Sequence, residues 1–251
     1  MKLRIGTALL PVLLLTLLPI AGLQAQDLPD ADELISRHVE LIGGAEAHTT
    51  EPSRTTGNIS LPAMGLEGSF VLLQSPPDRM AMTMDLAGMG QTRTGFDGEV
   101  GWSMNELTGP SLMEGDELVQ TREQTLAAAQ VRDRSVVPER ETIEAAEYGG
   151  EACWKVRLVW ESGRETMDCY SVESGLLVAS EAGQVTAMGE VNALTLYGDY
   201  QDFDGRLLPT RLVQSTMGIE QVMTIESVEW GEVDPEALAL PAAIRALLGE
   251  G

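Results

Sequence analysis

The chain has 251 residues, with 39 acidic against 16 basic side chains and a formal charge of −23. No cluster of lysines and arginines is available to neutralise phosphates, which argues against nucleic acid as a partner and disfavours docking on an anionic lipid surface. The charge itself reads as a solubility device suited to an acidic or salty habitat.

Residues 1–25 have the pattern of a cleaved export signal. Lys2 and Arg4 precede an apolar run from Ala8 to Ile20, and small residues precede a cut expected after Ala25. Pro11 and Pro19 interrupt that run, which suits a signal better than a membrane span. No cysteine stands at the cut, so no lipid anchor is expected. The mature protein is expected to be periplasmic or secreted, with residues 26–251 forming one domain. Losing Lys2 and Arg4 takes the charge to −25 and leaves Lys155 as the sole lysine.

Three segments carry helical spacing. In "DADELISRHVELIGG" Asp30 is a candidate N-cap, Leu34, Ile35, Val39, Leu41 and Ile42 form an apolar stripe, and Gly43 is a natural stop. "EGDELVQTREQTLAAAQVRD" reads as a second helix, and "DPEALALPAAIRALLGEG" as a short closing helix interrupted by proline. The rest alternates with period two, with strands expected near 55–61, 67–74, 79–86, 91–96, 99–104, 140–148, 153–160, 165–172, 176–187, 190–201, 206–215 and 219–230. Met80, Met82, Met84 and Leu86 share one face of the third. Trp154, Val156, Leu158 and Trp160 share one face of the seventh.

A meander this long cannot remain a flat open sheet, because twist accumulates from strand to strand. The expected fold is mainly β: one curled antiparallel sheet forming an incomplete barrel, with an N-terminal helix and one or two further helices on its concave face. Such a shape can enclose a ligand cavity. The Met80/Met82/Met84 stripe and the Trp154, Val156, Leu158 and Trp160 face then have two readings, ordinary core packing or the deformable lining of that cavity.

Four turns repeat a Met-Gly pair, at Met64, Met89, Met188 and Met217. Glycine is explained by the positive φ that tight turns require. Methionine is not, since turn tips are usually polar. Either these side chains fold back as core, or they form an apolar rim that adapts to differently shaped partners.

Cys153 and Cys169 flank the turn "ESGR". A two-residue turn would put the thiols on opposite faces of the hairpin, whereas a loop of odd length would put them on one face and permit a disulfide. Both alternatives stay open on the sequence. No GxSxG, SxxK, HExxH, P-loop or CxxC motif is present. His38 reads as a surface or helix-packing residue, and the "DYQDFDG" acids lack the register of a calcium loop. No catalytic residue, metal site or cofactor is expected.

"GFDGEVGWSM", "CWKVRLVWESGRETMDCYSVESGLLVAS" and "DYQDFDGRLLPTRLVQS", in that order behind an export signal, resemble the LolA/LolB-like superfamily of outer-membrane lipoprotein-sorting proteins. The resemblance spans roughly residues 30–248. It implies an unclosed antiparallel barrel capped by helices, with acyl chains held in an apolar cavity and a buried arginine gating the lid. None of Arg79, Arg93 and Arg211, all on expected strands, stands in a matching local motif. The function implied is a monomeric, non-enzymatic carrier for a lipid or acylated protein, with transient contacts to envelope membrane proteins. The alternative is an envelope protein-interaction or sensor module on the same scaffold.

Overall fold

A computed structural model describes residues 28–186 and 189–249, so the expected signal segment and Met188 lie outside the described residues. Thirteen strands form one antiparallel sheet: β1 (Ser53–Leu61), β2 (Leu66–Ser75), β3 (Arg79–Leu86), β4 (Gly90–Phe96), β5 (Gly101–Asn105), β6 (Gly109–Leu112), β7 (Glu139–Tyr148), β8 (Glu151–Val159), β9 (Glu165–Ser171), β10 (Leu177–Thr186), β11 (Gly189–Phe203), β12 (Arg206–Thr216) and β13 (Ile219–Trp230). Their order across the sheet is 6-5-4-3-2-1-13-12-11-10-9-8-7, open at both edges. Five helices accompany them: α1 (Ala31–Leu41), α2 (Ala45–Thr49), α3 (Gly115–Thr125), α4 (Ala127–Gln130) and α5 (Ala242–Leu247).

The curl follows from connectivity. β6 and β7 are the two outer strands, yet they are consecutive in sequence, so the α3–α4 connection must cross the sheet from edge to edge. Helix α3 touches both β5 and β10, eight places apart in strand order. In a flat sheet eight spacings span about 38 Å, whereas an eleven-residue helix is only about 16 Å long. The sheet therefore rolls around the helix, as an incomplete barrel.

Helix α1 forms where its residues dictate. The Asp30 carboxylate accepts from the N–H groups of Asp32 (2.9 Å) and Glu33 (3.2 Å), satisfying two orphan donors of the first turn. Ala31, Leu34, Ile35 and His38 form the buried stripe, at i, i+3, i+4 and i+7, while Leu41, expected in that stripe, is exposed. α1 packs on Val156, Leu158, Trp160, Tyr170 and Leu177 of strands β8–β10 and the residues flanking them. The second expected helix breaks at Leu126 into α3 and α4, and the closing segment divides into a 3-10 turn (Pro235–Leu238) and α5. The short edge strand β6 was not among the sequence expectations. Pro110 within it donates no ladder bond and is tolerated because one side of an edge strand is unpaired.

The β8–β9 hairpin has an odd, three-residue loop: Trp160 N–H donates to the Arg164 carbonyl (2.9 Å), and Cys153 pairs with Ser171. Cys153 and Cys169 therefore share the face opposite α1, with Cα atoms 5.5 Å apart, and are joined as a disulfide. They sit among Val178, Ala179, Leu194 and Leu196. A sixteen-residue separation gives a chain-entropy stabilisation of about 3 kcal/mol. Guanidinium unfolding of the Cys153→Ala/Cys169→Ala variant is expected to show a loss of that order. A midpoint unchanged from wild type would mean that the hairpin's own ladder supplies the constraint.

Candidate ligand cavity

Between the concave face and the helices lies a cavity of about 360 Å³. Its apolar wall comes from β2 (Phe70, Leu72), β12 (Leu207, Leu208, Leu212) and β13 (Met223, Ile225, Val228, Trp230). Strand register brings these together: Thr55 of β1 lies between Leu72 and Val228, and Leu212 lies opposite Met223. The helical side contributes His38 and Ile42 from α1 and its cap, His48 from α2, and Gln124, Gln130 and Arg132 from the α3–α4 connection.

The end of the cavity at the α1–α2 corner is fastened by backbone. Leu207 N–H donates to the Ile42 carbonyl (3.2 Å), which also accepts from His48 Nε2 (2.8 Å). Gly43, at φ 108°, lies so close to the Gly205 carbonyl that a Cβ there would sit 2.6 Å from its oxygen. The Arg206 guanidinium stacks over the Trp230 ring at 4.0 Å and donates to the Ala47 carbonyl (2.8 Å) and the Glu51 carboxylate (2.6 Å). Burial pulls the His48 pKa down, with Arg206 adding to the effect.

A buried polar cluster forms the other pole. Asp168 of β9, 2% exposed, accepts from Arg132 Nε (2.7 Å), Ser180 Oγ (2.6 Å) and Tyr170 OH (3.2 Å). Arg132 follows α4 with φ at 52° and also donates to the Ala129 carbonyl (2.5 Å), so one side chain clasps the crossing connection to the sheet. Burial opposes a charged guanidinium there, but Asp168 outweighs it and raises the Arg132 pKa further. Tyr200 OH donates to the Leu177 carbonyl (2.7 Å), and burial pushes its pKa up. His38 Nδ1 accepts from Leu177 N–H (3.3 Å); burial first and Arg132 second lower its pKa to about 4, so the ring is neutral at pH 7.

The sequence expectations fall on the structure as follows. Met80, Met82 and Met84 lie opposite Gln74, Leu72 and Phe70, all three of which line the cavity, so the stripe continues the wall's face one strand further on. Val156, Leu158 and Trp160 are buried beneath α1 with Trp154 packed against them, and none of the four lines the cavity. Arg79, Arg93 and Arg211 do not line it either; Arg132, from a connection that showed no motif, does. His38 is a buried, helix-packing residue that also faces the cavity. No group of three or more metal-ligating side chains is found among the described residues.

The described Met-Gly turns, at Met64, Met89 and Met217, fall at one end of the sheet, because each joins an upward strand to a downward one. Met64 (53% exposed), Met89 (43%) and Met217 (56%) occupy the β1–β2, β3–β4 and β12–β13 tips, with Leu107 exposed at the β5–β6 tip beside them. Gly65, Gly90, Gly189 and Gly218 all have positive φ. Exposed Glu67, Asp85, Glu106 and Glu220 flank these tips.

No family model matches the sequence, and no curated protein matches it in sequence. Solved structures match the fold. A LolA superfamily protein from Nitrosomonas europaea superposes with a TM-score of 0.55 at 10% identity, over 84% of this chain and 98% of that one. The chain has the LolA-like fold. An outer membrane lipoprotein-sorting protein domain from Vibrio parahaemolyticus gives 0.50 at 8% identity, over 81% and 97%. A DUF1329 family protein from Desulfovibrio piger gives 0.53 at 8%, over 84% and 99%.

The neutral His38 sets a pH dependence. Its folded pKa of about 4 is below the unfolded 6.5, so its contribution is complete above pH 6.5 and is lost as pH falls towards 4. Between pH 7 and 4.5 the wild type should lose about 2–3 kcal/mol more than His38→Gln, read as the difference in denaturant-derived stabilities; equal losses would contradict a neutral buried ring. Arg132→Met should cost about 3–5 kcal/mol by leaving Asp168 buried and unpaired. Arg132→Met/Asp168→Asn should recover most of that. A double variant as unstable as the single one would assign the cost to lost packing instead.

Proposed function

We propose that the protein is an exported carrier, working in the periplasm, that buries acyl chains of a lipid or acylated protein between its rolled sheet and its helices. Residues 26–251 act as one half-barrel unit. The observation that carries this reading is the cavity of about 360 Å³ with a continuous wall of Phe70, Leu72, Leu212, Met223, Ile225 and Val228. Each methylene moved from water into such a wall contributes about 0.8 kcal/mol, so a modest length of chain suffices for useful affinity without covalent chemistry. The fold shared with lipoprotein-sorting structures is consistent with that use.

Met80, Met82 and Met84, half-buried on the same face, supply the adaptable extension of the wall for chains longer than the cavity itself. The exposed tips at Met64, Met89 and Met217 form the apolar rim where cargo is exchanged with a partner in the envelope. The acidic flanks of that rim repel anionic headgroups, so exchange proceeds through a protein rather than by direct insertion into a lipid surface. No helix among the described residues is long and apolar enough to cross a membrane. The rim also favours the second reading, a protein-interaction or sensor module, in which the tips hold an envelope partner and the cavity stays empty.

Delipidated mature chain titrated with a fluorescent twelve-carbon acyl probe separates the two. Saturable binding is expected, weakened at least about tenfold by Leu212→Trp, which fills the cavity, while stability falls by no more than about 1–3 kcal/mol. Absence of saturable binding, together with absence of lipid in an organic extract of the freshly isolated protein, would leave the interaction module as the better account.

A further inference from the structure

The two edges of the sheet differ in how they are finished. β6 has four residues, contains Pro110 and is backed by α5, three features that blunt an edge. β7, at the other edge, has ten residues and no proline. Its ladder is with β8, and among the described residues no backbone N–H or carbonyl of Glu139–Tyr148 has another partner. Two buried side-chain atoms of the same strand, Arg140 Nε and Thr142 Oγ1, also lack a partner. A row of unpaired main-chain groups is a template for one more strand.

A bulge between Thr142 and Glu144 divides this edge. Before it, α1 packs against the strand, and Asp32 pairs with Arg140 (3.4 Å). Beyond it, Glu144, Ala145 and Glu147 are exposed, while Ala146 and Tyr148 are half-buried. Ala145 lies opposite Trp154, so an apolar side chain arriving outside it meets only a methyl group before that ring. Charge then decides what can pair. Glu139, Glu141, Glu144 and Glu147 stand against Arg140 alone within the strand. The cations one strand inward are engaged, Lys155 with Glu181 (2.9 Å) and Arg157 with Glu141 (3.2 Å) and Glu165 (3.0 Å). Glu139 and Glu147 form no ion pair among the described residues. A second copy of this edge would set glutamates against glutamates, which destabilises cross-strand pairs, whereas lysine or arginine opposite them stabilises.

We infer that the β7 edge over Glu144–Tyr148 is a docking site for an extended, basic segment of a partner protein, which adds to the sheet as one more strand. Main-chain hydrogen bonds supply the affinity, and alternating cationic and apolar side chains fit Glu144 on one face and Ala145 on the other. No residue of this edge lines the cavity. The site also lies towards the end of the sheet away from the methionine tips, because β7 runs down into its turn with β8. A partner is therefore held there with or without cargo, and the inference stands independently of the carrier reading.

The probe is a peptide of about nine residues alternating arginine with valine, blocked at both ends and long enough to span that edge. It is titrated against the mature chain in about 0.15 M salt, where long-range attraction to an acidic protein is largely screened. Every second N–H of an added strand faces its neighbour. Methylating one alternate set of amide nitrogens should therefore weaken binding at least about tenfold, and methylating the other set less than about twofold. Glu144→Lys/Glu147→Lys should also weaken binding about tenfold. Folding is preserved in that variant because both side chains are exposed and Lys155 keeps its closer contact with Glu181. Bound peptide should slow hydrogen exchange among the amides of Glu144–Tyr148 and leave β6 unchanged. Equal effects of the two methylated sets, or protection elsewhere, would assign binding to net charge and overturn the inference. Failure of the peptide to bind overturns it too, as does a wild-type dimer whose β7 amides are already protected. None of these outcomes touches the cavity, which the acyl-probe titration decides separately.

Discussion

One short connection governs the molecule. Strands β6 and β7 follow each other in sequence but stand at opposite edges of a thirteen-stranded sheet, and the helices between them are far too short to cross it flat. Rolling the sheet is the only way to satisfy both the ladder and the chain. Once rolled, it presents a concave face that the helices cover only in part. α1 fills the region over β8–β10 with Leu34, Ile35 and the aromatic residues beneath them, and the space over β1, β2, β12 and β13 is left as the cavity. Arg132 is the fastening point, because it joins the crossing connection to Asp168 on the sheet by a charge-assisted bond in a buried setting.

Much of the scaffold was legible in the sequence because period-two alternation and glycine turns are local signals. The N-cap at Asp30, the strand faces at Met80–Met84 and at Trp154–Trp160, and the positive φ of the Met-Gly turns all follow from neighbouring residues. The cavity was less legible, for physical reasons. Its wall is assembled from residues far apart in sequence, and a register shift between Thr56 and Gly57 changes which partner of β13 shares a face with the start of β1. The apolar face of β8 is unmistakable in the sequence, but what covers it is a tertiary fact: α1 packs there, so those side chains serve the core. Arg132 stood in a connection without periodicity, and only the fold brings it to Asp168, thirty-six residues away.

The two ends of the roll differ in character. At one, α1 and α2 are fastened to the β11–β12 turn by close backbone contacts and by Arg206 stacked on Trp230, which makes that end rigid. At the other, the hairpin tips offer methionine and leucine to solvent among acids. An apolar container closed at one end and adaptable at the other has a direction, and on the carrier reading cargo enters and leaves at the methionine end.

All of this depends on the space over β1, β2, β12 and β13 being open and greasy. Apolar pockets in proteins take up xenon, and the Leu72, Leu212 and Val228 side of this space supplies such a surface. A crystal of the ligand-free protein pressurised with xenon should show xenon density bounded by Leu72, Leu212 and Val228. Side chains of the protein filling that volume, with no xenon bound there, would contradict the account at its base.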